Sequence, residues 1–518
     1  MSRLARAVPS VRMLLLALLA ALLGTAAVVA APSSARAESN PSGTAIYYPT
    51  DLFVYVEADD YVTVRVEKLI GDAPVDITLV GPNVGFGCTI LVAGAVCSLS
   101  RTAAPAEAGI WRVRYAPHGE PDADETTSVW SITVQPGGPA EPIQTGRVWA
   151  EQYEMTNLDF STTESFSFWY LGEFGDLYRM DYTDFNGVNS TFSASGVGLV
   201  RLTGSDCVAQ YRSSQRQEEP NAADPRPALR PLADGECGGR YKIFFDEPDS
   251  GMPAATTNWD GDPIWLYPPV TDPTLSNIGF DLDGGGSATG TLRFRVEDFQ
   301  GPLEIRVDVN GDGDTNDPVD RVIPYFVPST AGPDHGYAFD GRDGNGDPIP
   351  GGREITFTVA ISRAGEVHFV NTDVETRGGL QIESLRGPAA GDTRLYWDER
   401  GLDGAVSADK CSTTAVLDGR AGIDTSGGPV HGWAGCGGDV NLPPTNMNNG
   451  TEGSWGDSRH IHDWTFRAVN ITAAITVLTL PVLPPTGSDV TVPAIIGGVL
   501  LAGGLVLLLV RRRLARGR

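Results

Sequence analysis

The chain has 518 residues, with 65 Asp and Glu against 38 Lys and Arg, a formal charge of −27. Both ends are basic. Without them the stretch Glu38 to Thr486 loses nine of the basic residues and one acidic residue, leaving a net charge of about −35. Such a surface repels nucleic acid and anionic lipid and favours solubility and cation binding, so no nucleic-acid partner is expected.

The chain opens with a targeting segment over 1–37. Arg3, Arg6 and Arg12 precede the apolar run Met13 to Ala31, and Ala35-Arg36-Ala37 puts small residues before a cut at Glu38. That is the order of a secretory signal peptide, which folds as a helix during export and takes no part in the mature fold. An uncleaved anchor helix is the alternative.

The displayed part, about 450 residues, is rich in glycine (62 in the whole chain) and proline (37), and holds only three lysines, Lys68, Lys242 and Lys410. Helical periodicity is absent. The composition predicts an all-β protein of several β-sandwich, immunoglobulin-like domains in series. The six cysteines fall into three close pairs, 88–97, 207–237 and 411–436. Disulfides Cys88–Cys97, Cys207–Cys237 and Cys411–Cys436 are expected, since export supplies the oxidising conditions and no pair has zinc-ligand spacing.

Residues 38–135 read as the first sandwich. Val62, Val64 and Val66 alternate with polar neighbours at the period of a half-buried strand. Further strands are predicted at Val75 to Val80, Thr89 to Val92, Trp111 to Tyr115 and Val129 to Val134, the 88–97 bridge stapling a hairpin. The Pro/Gly-rich stretch 136–142 reads as a linker.

Residues 143–270 form a second, aromatic-rich β-domain. Trp149, Tyr153, Phe166, Phe168, Trp169 and Tyr170 suit either a sugar-stacking platform or an ordinary core. The spacing of Phe166 and Phe168 favours the core.

Residues 271–372 form a third sandwich with two acidic loops. In the first, Asp308, Asn310, Asp312 and Asp314 alternate around Gly313, followed by Asp320. Oxygen ligands at that spacing suit a hard cation, and the stretch resembles the first half of an EF-hand loop. Val319 stands where an EF-hand carries its bidentate Glu, and the flanks read as strands, so the expectation is an isolated Ca²⁺ loop between strands, with a plain hairpin turn as the alternative. The second loop, Asp340 to Gly352, resembles a structural hairpin of immunoglobulin-like bacterial surface modules.

Residues 373–480 form a fourth β-domain. His460, His462 and Asp463, with His431, are its one candidate zinc cluster; two polar side chains on an edge strand is the blander reading. Asp398 and Glu399 beside Trp397 face opposite sides of a strand, so they make a poor catalytic pair. No Gly-x-Ser-x-Gly elbow or phosphate-binding glycine loop occurs, and no catalytic residue is assigned.

The chain closes, over 483–518, with Leu483-Pro484-Pro485-Thr486-Gly487, the uncharged span Thr491 to Val510 (491–510) and five arginines. Twenty residues suffice for a transmembrane helix, and the arginines hold its end in the cytoplasm. Pentapeptide, span and basic tail resemble the sorting signal of LPXTG-type Gram-positive surface proteins. The resemblance implies that a sortase cuts after Thr486 and joins its carboxyl to peptidoglycan, leaving the chain extracellular and anchored to the cell wall. A permanent membrane anchor is the alternative. The expected function is a surface adhesin, a module for an extracellular ligand the sequence does not identify, or a stalk, stiffened by calcium and not an enzyme. The rival is a surface-displayed polysaccharide hydrolase.

Overall fold

A computed structural model describes residues 36–479 except 48, 119–125, 160–161, 186, 188, 202–206, 216–228, 285–287, 373–375, 403–417 and 433–458. The described residues form strands and three single 3₁₀ turns, with no α-helix. The signal helix, the terminal span and the Cys411–Cys436 pair lie outside them. No helix of the described residues is long and apolar enough to cross a membrane.

Strand Tyr61–Lys68 buries Val62, Val64 and Val66 and turns the residues between them outward, as its alternation predicts. It lies in a four-stranded sheet with Glu38–Ser39, Ser128–Gln135 and Val96–Thr102. Against it packs one half of a nine-stranded sheet, made of Thr50–Val56, Gly109–Pro117, Val75–Gly81 and Val84–Ile90. The predicted strand Thr89 to Val92 stops at Ile90. Leu91 and Val92 are exposed where the chain crosses from one sheet to the other. Cys88 and Cys97 therefore do not staple a hairpin. Their disulfide joins the outermost strands of two facing sheets and closes the side of the sandwich.

The nine-stranded sheet does not end at the expected 136–142 boundary. Thr50–Val56 pairs with Val148–Ala150, and the sheet continues through Lys242–Phe244, Glu164–Leu171, Leu177–Phe185 and Thr376–Ser384. Facing this half is a second large sheet containing Gln152–Asn157, Ser190–Ser195 and two very long strands, Glu354–Thr372 and Arg459–Leu478. Phe168, Tyr170, Tyr182 and Phe185 pack between the layers, so the aromatic crowding is core rather than platform. The four consecutive units 38–135, 143–270, 271–372 and 373–480 thus share sheets. The third keeps a large core of its own, and it borrows Ile471 to Leu478 from the fourth. Strand pairing joins residues far apart in sequence, and a local hydrophobic pattern records which face is buried but not which strand lies alongside.

The outer face of the nine-stranded sheet is also covered. Phe53, Trp149, Leu171 and Phe244 point away from the main core and pack under a strap, residues 246–272, through Trp259, Trp265 and Leu266. The strap is tethered by Asp249, whose carboxylate accepts a hydrogen bond from buried Arg147 at 2.9 Å.

The two long strands leave the main body together and enter the third sandwich. Register shifts interrupt their pairing between Ile361 and Val367. At this crossing Gly365 has a φ of +57°, and a side chain there would collide with the Asp176 carboxylate. Asp176 is buried and accepts from Arg467 Nε at 3.0 Å, while Arg467 also donates to Thr271 O at 2.8 Å.

Candidate functional site

Asp308 ends strand Gly301–Asp308, and Asp320 immediately precedes strand Arg321–Val327. These strands pair with Val307 opposite Arg321, so the next position on each brings Asp308 and Asp320 together at the mouth of the hairpin. Asp312 reaches the same place from the intervening loop. Ligand oxygens of all three lie within 4.8 Å of one another. Asp308 accepts from the backbone N–H of Gly311 at 2.6 Å and Gly313 at 2.9 Å, which shapes the loop around it. Asp320 Oδ1 accepts from Val309 N at 2.8 Å, but its Oδ2 is buried with no hydrogen-bond partner. Burial, and then the charges of Asp308, Asp312 and Asp317, raise the Asp320 pKa. The backbone N–H of Asp314, then the Asn310 amide, lower that of Asp312.

Asp314 is not among the carboxylates gathered here, while Asn310 stays beside Asp312, its Nδ2 donating to Asp312 Oδ2 at 2.9 Å. Asn310 Oδ1 accepts from Asp312 N at 3.0 Å, and Asp314 Oδ1 accepts from Asn316 N at 3.0 Å. Both serve as turn-forming side chains within the loop. Three carboxylates, one with an unsatisfied buried oxygen, fit a hard cation that takes 6–8 oxygen ligands. Bound there, Ca²⁺ would neutralise the repulsion among Asp308, Asp312 and Asp320.

The second acidic loop lies against the first through Gly344, whose N–H donates to Val319 O at 2.8 Å. Two of its three carboxylates are otherwise engaged. Asp340 accepts from Arg321, and Asp343 Oδ1 accepts from the backbone of Asn345 and Asp347, both at 2.9 Å. Beside this loop the chain exits. Thr479 N donates to Arg353 O at 2.8 Å, and Gly352 N to Thr479 O at 2.9 Å. The pentapeptide Leu483, Pro484, Pro485, Thr486 and Gly487 lies beyond the described residues.

The second disulfide, Cys207–Cys237, is also formed. It staples a cover whose Tyr211 packs over His368 and Trp464.

The candidate zinc residues divide between the two faces of strand Arg459–Leu478. His460 bonds Thr372 Oγ1 at 3.0 Å. His462 donates from Nδ1 to Arg212 O at 3.1 Å and accepts from His368 Nδ1 at 2.8 Å through Nε2. With both nitrogens of His462 occupied, and no third ligand converging among the described residues, these histidines form a hydrogen-bonded chain. On the opposite face His431 lies between two carboxylates, 2.6 Å from Asp463 Oδ1 and 2.7 Å from Glu399 Oε1, with Trp397 stacked on its ring at 4.3 Å. All three polar side chains are fully buried. Burial opposes charge on the ring, but Asp463 and Glu399 outweigh it and hold the His431 pKa up at about 10. Burial pushes Glu399 up to about 7. The arrangement is a buried, ring-centred ion triad.

One concave site was not foreseen. Beside the strap on the outer face lies a cavity of about 330 Å³ lined by Asp51, Phe53, Glu151, Glu154, Asp234 and Arg240, among others. Leu52 pairs with Ala150, and Asp51 and Glu151, the next residues along each segment, both line the cavity. Burial raises both pKa values, against Arg114 and Arg112 for Asp51 and against Lys242 and Arg240 for Glu151. These carboxylates come from segments a hundred residues apart, and no local motif marks them. No family model matches the chain, and no curated protein matches it.

Proposed function

We propose that the chain is an exported, sortase-anchored cell-wall protein that serves as an adhesin or ligand-presenting stalk, with a Ca²⁺ ion stiffening its third sandwich. The anchoring rests on one observation, the order of Leu483 to Gly487, an uncharged span and terminal arginines. The formed disulfides accord with an exported chain. For calcium the supporting observation is the buried, unpartnered Asp320 Oδ2 facing Asp308 and Asp312. Thr486 lies seven positions after Thr479, a reach of at most ~25 Å even when fully extended. In this reading the acidic end of the third sandwich is held close to the wall.

Two experiments test it. Fractionated cells should carry the native chain in the wall, and a Thr486→Ala variant should leave the wall fraction; an unchanged distribution refutes the anchor. Calorimetric titration with Ca²⁺ should give a binding isotherm that Asp312→Ala weakens or abolishes. Equal isotherms refute the ligand assignment.

A second reading, a surface-displayed polysaccharide hydrolase, is favoured by the cavity carrying Asp51 and Glu151. Two neighbouring carboxylates in one cavity are the minimum set a glycosidase requires. Release of reducing ends from a polysaccharide panel, lost in Glu151→Gln, would establish it. No release from any member would remove it.

A further inference from the structure

The outer cavity is lined mostly by groups that accept hydrogen bonds, and its long side-chain donors are already spent. Arg240 donates to Asp234 and, through Nη2, to Leu232 O at 2.8 Å. Gln152 donates its Nε2 to Glu154. The acceptors are not matched in the same way. Asp51 stands 3.6 Å from Arg114 Nη1, an ion pair too long for a hydrogen bond, and its Oδ1 is buried with no hydrogen-bond partner. Glu151 makes no hydrogen bond to any described residue, although burial is the strongest influence on its carboxyl. Lys242 is the charge that offsets it most, but Lys242 is only 1% exposed and does not line the cavity. Burial is also the largest influence raising the Asp51 pKa, and the charge of Asp234 adds to the rise at both residues. The carboxylates of Asp51, Glu151, Glu154 and Asp234 therefore share one concave space with a single guanidinium, and that one is engaged.

We propose that this cavity binds an amino sugar through its free ammonium group, with the Glu151 and Asp51 carboxylates holding the nitrogen. The ammonium brings three N–H donors and the sugar hydroxyls bring more, to a site whose own long donors are engaged. Charge sets the choice among sugars. A neutral sugar leaves the excess of carboxylates uncompensated and an acidic one adds to it, whereas an ammonium makes charge-assisted hydrogen bonds to them. Phe53 supplies the apolar wall against which the C–H face of a sugar ring lies, and its own ring is held by stacking on Trp259 at 5.0 Å. The cavity, about 330 Å³, is at the small end of ligand pockets, which start near ~300 Å³, so it takes a short unit rather than a long stretch of polymer. The inference uses the same cavity as the hydrolase reading but needs no glycosidic cleavage. It is independent of calcium and of the anchor, and it names a ligand that the adhesin reading leaves open.

The test is a ligand-observed NMR titration of the intact native chain with D-glucosamine, N-acetyl-D-glucosamine, D-glucose and putrescine at low salt and neutral pH. D-Glucosamine should bind at least ~10-fold more tightly than its acetylated form or D-glucose, the difference made by one charge-assisted contact. Raising the salt to about 0.5 M should weaken that preference, because it screens the attraction. Glu151→Gln, nearly the same in shape, should remove the preference, and Asp51→Asn should reduce it, with near-UV circular dichroism confirming that each variant folds. Equal binding of D-glucosamine and its acetylated form overturns the proposal, as does no binding of D-glucosamine or a preference that survives Glu151→Gln. An unchanged preference in Asp51→Asn overturns the role given to that carboxylate. Putrescine binding as tightly as D-glucosamine overturns the assignment to a sugar. The acetylation and salt comparisons use the native chain, so they decide the matter even where a variant fails to fold. Binding of D-glucosamine without release of reducing ends would remove the hydrolase reading alone, and release from a neutral polysaccharide without the ammonium preference would remove this one alone.

Discussion

Replacing His431 by Asn should cost the main body about 3–5 kcal/mol at pH 7.5, the range for breaking a buried ion pair by deleting one partner. Asn is the informative substitute because His431 has a φ of +55°, a region Asn tolerates better than most residues. The backbone is therefore not what fails. The size follows from the site. Glu399 and Asp463 are both fully buried, and Glu399 Oε2 and Asp463 Oδ2 already lack hydrogen-bond partners. Without the ring, two anions face each other with no compensating charge. A second route gives a similar figure, since a ring held at about 10 against ~6.5 when free contributes about 3 kcal/mol at pH 7.5. Urea unfolding followed by tryptophan fluorescence measures the loss, and Trp397, stacked on the ring, reports on the site directly. A loss below ~1 kcal/mol would refute the claim that the imidazolium compensates these carboxylates.

The same triad predicts a pH dependence. His431 and Glu399 both have raised pKa values, about 10 and about 7. The folded state therefore holds more protons than the unfolded one, and stability should fall as pH rises from ~4.5 through 7 and on towards 10; a rise between pH 6 and 9, once other groups are controlled by the Asn variant, would contradict it. Calcium at 2 mM, acting on a site of ~10⁻⁴ M affinity typical of extracellular modules, should add about 1.8 kcal/mol to the third sandwich. Scanning calorimetry with and without chelator should show a shift of several degrees in one transition, absent in Asp320→Ala. Removing the Cys88–Cys97 bridge, which spans 9 residues, should cost about 2.5 kcal/mol on the chain-entropy account. Equal melting of Cys88→Ser and native protein would show that the sheet edges are held by packing alone.

Much of the local structure was legible in the sequence, because alternation with a period of two reports which side chains a strand buries. Val62, Val64 and Val66 show this, as does the buried aromatic set around Phe168. The pairing of strands was not legible. Nothing near Thr50–Val56 announces Val148–Ala150 as its neighbour, and nothing near Glu354 points to Leu478. The candidate cation site was half legible. Asp308, Asp312 and Asp320 meet because the hairpin closes there, while Asn310 and Asp314, equally regular in spacing, are drawn into turns by nearer backbone N–H groups. The union of His431 with Asp463 was foreseen as a cluster but not as an ion triad, because the partnership of Glu399 depends on a residue 32 positions away. Asp51 and Glu151 carry no motif at all. They meet only once Thr50–Val56 and Val148–Ala150 have been laid side by side.

The paired long strands also set how the molecule carries mechanical load. Arg459–Leu478 runs unbroken from the main body to the exit at Thr479, twenty residues or roughly 65 Å, antiparallel to Glu354–Thr372 for nearly all of that length. Tension entering beyond Thr479 acts along the strand axis, so its many backbone hydrogen bonds are sheared together instead of being peeled one at a time. Midway, Arg467 clamps the pulled strand to Asp176 and to Thr271 of the connecting segment. Force would thus pass into the large core without first opening the small sandwich, and the weakest points under pull should be the loops at the exit, not the sheets.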